Sequence, residues 1–438
     1  MEEQKSAENF VLKSASEFMP FINARLKNIV HARKFVDLIG NKLAELEKGQ
    51  GMRIIILCGL RGTGKTIGLI QLATRYPSPA RSFFVRGDEL LANNIGLNNL
   101  VEALDKTNRR KIGVDKKYCL FIDEVTYIPD WTLKVKVLHD TRPDLTLVLT
   151  SSSSLALAFP PDIARRSAIE TVQPLSFREY LLLKHDVNIP DGLAKKILTQ
   201  MTNGQIPLKE LADALSKAET KNLEGLFEDY LQEDMPLALQ VTGQEYAEGM
   251  KTLVRTIIYE DFPKHAKIDA SLLPKAEQIT FFLAKTPCDA IRLESLANHF
   301  QLSKESITKI LSLLEKSLLT KGLEAHGRRK AVKLPKKWLF QSPSIRAALA
   351  KNLGLESDLT GNQREDAAHA ALSAAFGPGS ITYSHEADFI IAEKKLAFEV
   401  GHKRHEVIIP GFKVFTLTTA RNTTKGNQIP LYQAMLAF

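Results

Sequence analysis

The sequence predicts an α/β protein: a parallel sheet first, then a helical region, a helix-turn-helix region and a small α/β C-terminal region. Three observations carry this. Residues 1–180 alternate apolar strand-like runs with helical patterns, as a parallel sheet with helical crossovers requires. A strand, a glycine-rich loop and a helix follow one another at 54–72. Residues 358–438 pass from a helix to four strand-like runs, ITYS, ADFIIA, KLAFEVG and KVFTLTT.

The first strand and its loop are the most informative element. Residues 53–66 read RIIILCGLRGTGKT, in which Gly59, Gly64, Lys65 and Thr66 complete the pattern G-x-x-x-x-G-K-[ST]. The apolar run Ile54 to Leu57 ends at the glycines, and Ile67, Leu69, Ile70 and Leu72 follow at helical spacing. Glycines let backbone N–H groups turn inward around a phosphate, and the helix N-terminus adds its partial positive charge. Gly59, Arg61, Gly62, Thr63, Gly64, Lys65 and Thr66 are therefore the candidate nucleotide-binding residues. Lys65 would reach the β- and γ-phosphates, and the Thr66 hydroxyl would ligate Mg²⁺. This predicts a P-loop NTPase fold.

The next apolar strand, YCLFIDE at 118–124, ends in two acids. After a complete phosphate loop, Asp123 is expected to hold Mg²⁺ and Glu124 to act as general base on the attacking water. No Asn/Thr-Lys-x-Asp guanine motif follows, so ATP is the expected nucleotide. A third strand, LTLVLTSSSS at 145–154, ends in hydroxyls. Thr150 and Ser151 are candidates to touch the γ-phosphate or the water, against the rival reading of a serine-rich loop. Arg165 and Arg166 precede the strand-like AIETVQPLSF. One of them would neutralise transition-state charge, in cis or from a neighbouring copy, unless both are solvated surface arginines.

Residues 181–262 read as helices in FREYLLLKH, LKELADALSKAE and EYAEGMKTLVRTIIYEDF, a lid or extension to the first domain. Residues 263–357 place EQITFFLAKT as one helix and RLESLANHFQ as a second. Ser303 then caps a third, from Lys304 to Leu318. Helix, short turn and helix is a helix-turn-helix layout. Ile307, Ile310, Leu311 and Leu314 would pack inward, while Lys304, Ser306, Thr308 and Lys309 would face a DNA groove. The stretch HGRRKAVKLPKKW carries Arg328, Arg329, Lys330, Lys333, Lys336 and Lys337 with no acid among them. As the β-wing of a winged helix, it would place cations on phosphates.

Several of these phrases resemble a known family. GLRGTGKT, FIDEVTYIPDW, the strand end TSSSS and above all PLSFREYL look like prokaryotic AAA-type ATPases. Those couple a P-loop domain to a winged helix and a C-terminal domain related to restriction-endonuclease-like nucleases. The likeness runs over nearly the whole chain from about Arg25. One departure is Ser151, where the family usually has glycine. The four regions read from the chain's own patterning, 1–180, 181–262, 263–357 and 358–438, then correspond to a P-loop ATPase domain, a helical lid or extension, a winged helix and a restriction-endonuclease-like domain. The resemblance also implies a nuclease-like pocket of Glu365, Asp388 and Glu399 on a metal, with a lysine two positions after the last glutamate. That position is Gly401; Lys403 lies two residues further on. Without the lysine in place, a non-catalytic or substrate-gripping domain is the expectation. His385, His402 and His405 show no zinc-type spacing.

Composition bounds the rest. At roughly 150 residues per domain, 438 residues make about three domains. The chain is 44% hydrophobic and 25% charged, which excludes a mainly disordered or collagen-like chain. The net charge of +9 divides by region into +6, −6, +9 and zero, so the excess sits in the helix-turn-helix region. Cys58, Cys119 and Cys288 lie far apart, against a disulfide scaffold and with a reducing cytoplasm. MEEQKSAENFVLKS lacks the apolar core of a signal peptide, and no run of about 18 apolar residues predicts a membrane span. The expected cofactors are ATP and Mg²⁺. The expected partners are duplex DNA and further copies of the chain, with no membrane. The reading is thus an ATP-hydrolysing enzyme acting with or on DNA. Its rivals are a nucleotide-gated DNA-binding regulator or defence component with slow turnover, and an ATP-dependent nuclease.

Overall fold

The computed structural model describes residues 6–11, 27, 29–76, 81–112, 117–151, 161–217, 222–327, 335–351, 360–401, 407–419 and 426–438. They group into two compact units, Met1–Val172 and Gln173–Phe438. Among the described residues no helix is long and apolar enough to cross a membrane.

The first unit holds a five-stranded sheet of β1 (Ile54–Cys58), β2 (Ser82–Arg86), β3 (Tyr118–Asp123), β4 (Leu145–Thr150) and β5 (Ser167–Thr171). The order is β2-β3-β4-β1-β5 and every pairing is parallel. The strand sequences explain the layering. Successive side chains point to opposite faces, so a strand buried on both faces reads as a continuous apolar run. Ile54 and Ile56 join one core with Leu120, Ile122, Leu147 and Leu149. Ile55 and Leu57 join the other, with Cys119, Phe121 and Val148.

Helices cover both faces. On the second core lie α1 (Lys34–Glu47), through Val36, Ile39 and Leu43, and α2 (Lys65–Arg75), through Leu69, Ile70 and Leu72. After β2 comes the short α3 (Gly87–Ala92). On the first core lie α4 (Leu97–Ile112), through Leu97, Leu100 and Leu104, and α5 (Trp131–Thr141), through Val135 and Leu138. The short α6 (Pro161–Arg166) leads into β5.

The second unit begins with α7 (Phe177–His185). Its N-terminus is fixed by a capping box in which Ser176 and Glu179 satisfy each other's backbone N–H. Then follow α8 (Asp191–Thr202), α9 (Leu208–Lys217), α10 (Leu223–Gln232) and α11 (Gly243–Thr256). The helical pattern read through 245–262 is interrupted by a π turn at Ile257–Asp261, just before Pro263, which has no N–H to continue the ladder.

Next come α12 (Leu273–Lys285), α13 (Leu293–Phe300) and α14 (Lys304–Lys316). They accompany a three-stranded antiparallel sheet of β6 (Ala290–Ile291), β7 (Thr320–Leu323) and β8 (Lys336–Phe340), in the order β6-β8-β7. Ser303 caps α14 as its sequence predicts, accepting the Ser306 N–H at 3.1 Å. Ile307, Ile310, Leu311 and Leu314 are all buried. The helix stops at Lys316, two residues short of the predicted end, because Leu318 adopts a left-handed backbone.

The chain then forms α15 (Pro343–Lys351), α16 (Thr360–Phe376) and a mixed sheet of β9 (Ile381–Thr382), β10 (Phe389–Ile391), β11 (Leu396–Val400), β12 (Lys413–Thr418) and β13 (Gln428–Pro430). One core unites the early helices with this late sheet: Phe177, Tyr180, Phe227 and Tyr230 join Phe398, Phe415 and Ile429. A buried ion pair braces the same unit. Arg346 grips Asp366 through Nε (2.5 Å) and Nη2 (3.1 Å), and its Nη1 donates to the carbonyls of Leu283 and Ala284.

Candidate functional site

The site of the first unit lies where β1, β3 and β4 end. Gly59, Gly62 and Gly64 all take positive φ, at 152°, 81° and 85°. At Gly59 the requirement is also steric, since a Cβ there would lie 2.2 Å from the Val172 carbonyl oxygen. Thr63 is fully buried, and its hydroxyl donates to the Leu60 carbonyl at 2.8 Å. Arg61 is partly exposed on the loop. Lys65 heads α2 with its Nζ donating to the carbonyls of Gly59 (3.0 Å) and Leu60 (2.9 Å). Burial lowers the Lys65 pKa to about 8, opposed first by the charge of Glu124. The loop thus presents a desolvated ammonium beside inward-curving backbone, a strong attractor for a polyphosphate.

The acids are brought to this loop by strand order. β4 lies between β1 and β3, with Thr150 beside Leu57 in the register. From there the Thr150 hydroxyl donates to Asp123 Oδ1 at 2.6 Å and accepts the Glu124 N–H at 2.9 Å. The Thr66 hydroxyl donates to the same Asp123 oxygen at 3.1 Å. Burial raises the Asp123 pKa, and the hydrogen bonds from Thr150 and Thr66 oppose it. Glu124 has φ 55° and ψ 50°, a conformation costly for a residue with a side chain and common at working sites. Thr66 and Asp123 are hard oxygen donors side by side, a pair that fits Mg²⁺.

Thr150 therefore orients the Asp123 carboxylate and the Glu124 backbone. Ser151 is buried, and its N–H continues the sheet to the Leu57 carbonyl at 3.1 Å. Residues 152–154 lie outside the described residues. The two arginines differ in setting. Arg165 is 73% exposed and pairs with Asp162 at 2.5 Å. Arg166 is 28% exposed, pairs with Asp140 at 3.3 Å and donates to the Asp162 carbonyl.

Two contributors escaped the sequence reading. Gly87 sits against the acidic pair, where a Cβ would lie 2.2 Å from the Glu124 carbonyl oxygen. A lone glycine after a strand is too common a signal to single out. Arg33, immediately before α1, donates from Nη1 to the Thr63 carbonyl of the phosphate loop at 2.5 Å. It belongs to no motif.

Residues 51–181 match the AAA domain family. The match covers the sheet, the phosphate loop and the two acids, and supports a P-loop ATPase of the AAA type. The chain is also 29% identical over 380 residues to the uncharacterized protein MJ1637 of Methanocaldococcus jannaschii, covering 83% of this chain and 79% of that protein. Among solved structures, C. elegans PCH-2 aligns over 66% of this chain and 72% of its own, at 13% identity and a TM-score of 0.27.

The remaining predicted residues lie in the second unit. Lys304 and Lys309 are exposed on α14; Lys304 pairs with Glu294 at 2.9 Å, and Lys309 donates to the Lys267 carbonyl. Lys336 is half-buried, 3.7 Å from Glu315. Arg328, Arg329, Lys330 and Lys333 lie outside the described residues, as do Lys403, His402 and His405.

Lys337 corrects the sequence reading. It is 5% exposed and turned inward, its Nζ 2.5 Å from Glu365 and 2.7 Å from Asp388. Strand alternation explains this, because neighbours on β8 point to opposite faces. Burial alone would lower the Lys337 pKa, but Asp388 and Glu365 raise it further, so the ammonium is retained. Glu365 is pushed up to about 7 by burial, against the pull of Lys337. Asp388 also accepts the Val400 N–H at 2.8 Å. Glu399 is buried on β11, paired in register with Thr416. Two of the three predicted pocket acids thus meet on a lysine from β8. Among the described residues no cluster of three or more His, Cys, Asp or Glu could hold a metal.

Proposed function

We propose that the chain is an Mg²⁺-dependent ATPase of the AAA type that acts with or on DNA. One observation carries the catalytic part: Asp123 accepts from both Thr66 and Thr150, with Glu124 beside it and the buried Lys65 facing it. The loop amides and Lys65 would bind the phosphate chain of ATP. Thr66 and Asp123 would hold Mg²⁺, which supplies charge neutralisation at the phosphates when bound. Glu124 would take the proton of the attacking water, and Thr150 fixes its backbone for that task. Arg165 and Arg166 are the proposed cationic partners of the transition state. Arg165 is the more exposed of the two and would be the better placed to reach a neighbouring copy.

The DNA part rests on the second unit. Three helices and a three-stranded sheet at 273–340 support a winged-helix reading, and Lys304 and Lys309 stand exposed at its third helix. The wing cations Arg328, Arg329, Lys330 and Lys333 would add phosphate contacts, with Lys336 at the rim. The C-terminal sheet behind α16 supports a nuclease-related fold used for holding rather than cutting, since Lys337 occupies Glu365 and Asp388 as their shared ion-pair partner.

The test is ATP turnover with and without Mg²⁺, with and without duplex DNA, over a range of protein concentrations. Mg²⁺-dependent turnover lost in Glu124→Gln supports the ATPase. Stimulation by DNA ties the basic region to it, and a concentration-dependent rate reveals assembly. A Glu124→Gln protein that keeps its full DNA-linked output would favour the nucleotide-gated regulator or defence component. Nicking of supercoiled plasmid with ATP and Mg²⁺ would favour the nuclease.

A further inference from the structure

The phosphate loop is gripped from outside by a residue that precedes its strand and lies before the matched family segment. Arg33 is 9% exposed, and its guanidinium lies 5.5 Å from the Phe35 ring centre. It donates to the Thr63 carbonyl at 2.5 Å. The approach depends on Gly68 in the first turn of α2, where a Cβ would lie 2.1 Å from the Phe35 ring. The first turn of α1 is thereby seated directly on the first turn of the phosphate-loop helix.

The consequence follows from peptide geometry. In a planar trans peptide, the C=O of one residue and the N–H of the next point in opposite directions. A Thr63 carbonyl held toward Arg33 turns the Gly64 N–H the other way, away from Arg33. The loop's own ties do not do this, because the Thr63 hydroxyl and Lys65 engage the carbonyls of Leu60 and Gly59 instead.

We propose that Arg33 is a positioning residue for nucleotide binding: it holds the Thr63–Gly64 peptide so that the Gly64 N–H is set for the phosphate chain before any nucleotide arrives. This rests on the nucleotide-binding reading above. An amide shared by di- and triphosphates serves ADP and ATP alike, and a pre-set donor acts on affinity rather than on the chemical step.

The experiment measures ADP and ATP affinity, KM and kcat for the full chain, Arg33→Met, Arg33→Lys and Lys65→Ala, with melting in the absence of nucleotide as the control for folding. Arg33→Met should lose about tenfold in affinity for both nucleotides, as expected for one charge-assisted hydrogen bond, with kcat at saturation held. Arg33→Lys, which can still donate to one carbonyl, should stay close to wild type.

Wild-type affinity in Arg33→Met overturns the proposal, as does a loss confined to ATP, which would mean direct contact with the γ-phosphate. A lysine variant as weak as the methionine one overturns it too. Should Arg33→Met fail to fold, the Gly64 amide proton of the wild type decides: a downfield shift on adding Mg·ADP supports the proposal, and an unmoved resonance refutes it. If wild type and Lys65→Ala both fail to bind nucleotide, the nucleotide reading falls and takes this one with it. Binding that Lys65→Ala loses and Arg33→Met keeps removes the Arg33 proposal alone.

Discussion

Thr150 Oγ1 lies 2.6 Å from Asp123 Oδ1 and gives it a hydrogen bond while taking one from the next residue's N–H. One hydroxyl thus orients a buried carboxylate and the backbone of the general-base candidate together. Replacing it by valine keeps the volume and removes both bonds, leaving buried polar groups unsatisfied at a cost of about 1–3 kcal/mol. We expect Thr150→Val to cut ATP turnover by about tenfold or more, and Thr150→Ser to keep most of it. Steady-state turnover at saturating ATP checks both, and an unimpaired valine variant would refute the role.

Gly87 predicts a steric effect at the same place. Its missing Cβ leaves room for the Glu124 carbonyl, so even alanine must push the acidic turn away. Gly87→Ala should lower turnover sharply and cost on the order of 1–3 kcal/mol of stability. Denaturant unfolding and the rate assay together test this; a stable, fully active variant would show that the turn yields freely.

Lys65 gives nucleotide binding a pH dependence. Its pKa without nucleotide is about 8, and an anionic phosphate favours the charged form. Affinity should be highest below pH 8 and fall as pH rises, by up to tenfold per unit. Binding should take up a proton near pH 8. Calorimetry in buffers of differing ionisation enthalpy measures that uptake directly, and a flat profile between pH 7 and 9 would contradict it.

Asp234 gives the second unit a pH dependence of its own. It is fully buried among the Ser342 and Ser344 hydroxyls, next to Tyr246, and burial raises its pKa from 3.8 to about 7. Because the folded-state value is the higher one, the folded chain binds the proton more tightly. Stability from this group is therefore present below pH 4, is lost as pH climbs toward 7, and levels off above. The span is on the order of a few kcal/mol. Subtracting the urea-unfolding profile of Asp234→Asn from that of wild type should reveal this slope; parallel profiles would count against it.

Lys337 separates two readings of the basic stretch. Truncating it leaves the partly buried Glu365 and Asp388 without their cation, so Lys337→Ala should destabilise the chain by on the order of a few kcal/mol. The salt dependence of DNA binding should be unchanged where the variant is still folded. Lys304→Ala and Lys309→Ala should instead leave stability intact and each reduce the salt slope by about one. Binding titrations at several salt concentrations distinguish the two sets.

What the sequence made legible follows from the range of the interactions. The phosphate loop, the two acids, the Ser303 cap and the inward face of α14 are written in contiguous residues, since turn chemistry and periodicity act over a few positions. The roles of Thr150, Gly87 and Arg33 depend on strand order and close approach, which no local pattern encodes. Lys337 failed for a related reason. The run of cations around it reads as solvated wing, and only the pairing of β8 reveals that its side chain turns in. The partition of the chain hid a further fact, that helices at 177–232 and strands at 396–430 share one core.

That shared core sets a timetable for synthesis. Phe177, Phe227 and Tyr230 leave the ribosome well before the strands bearing Phe398 and Ile429 exist. At about 5–20 residues per second, a gap of about 200 residues is a wait of about 10–40 s. During that interval the early helices must keep an apolar face in water or in the hands of a chaperone, while the nucleotide-binding unit ahead of them can already fold. A nascent chain stalled near residue 350 should therefore present a finished first unit followed by an adhesive, unfinished second one.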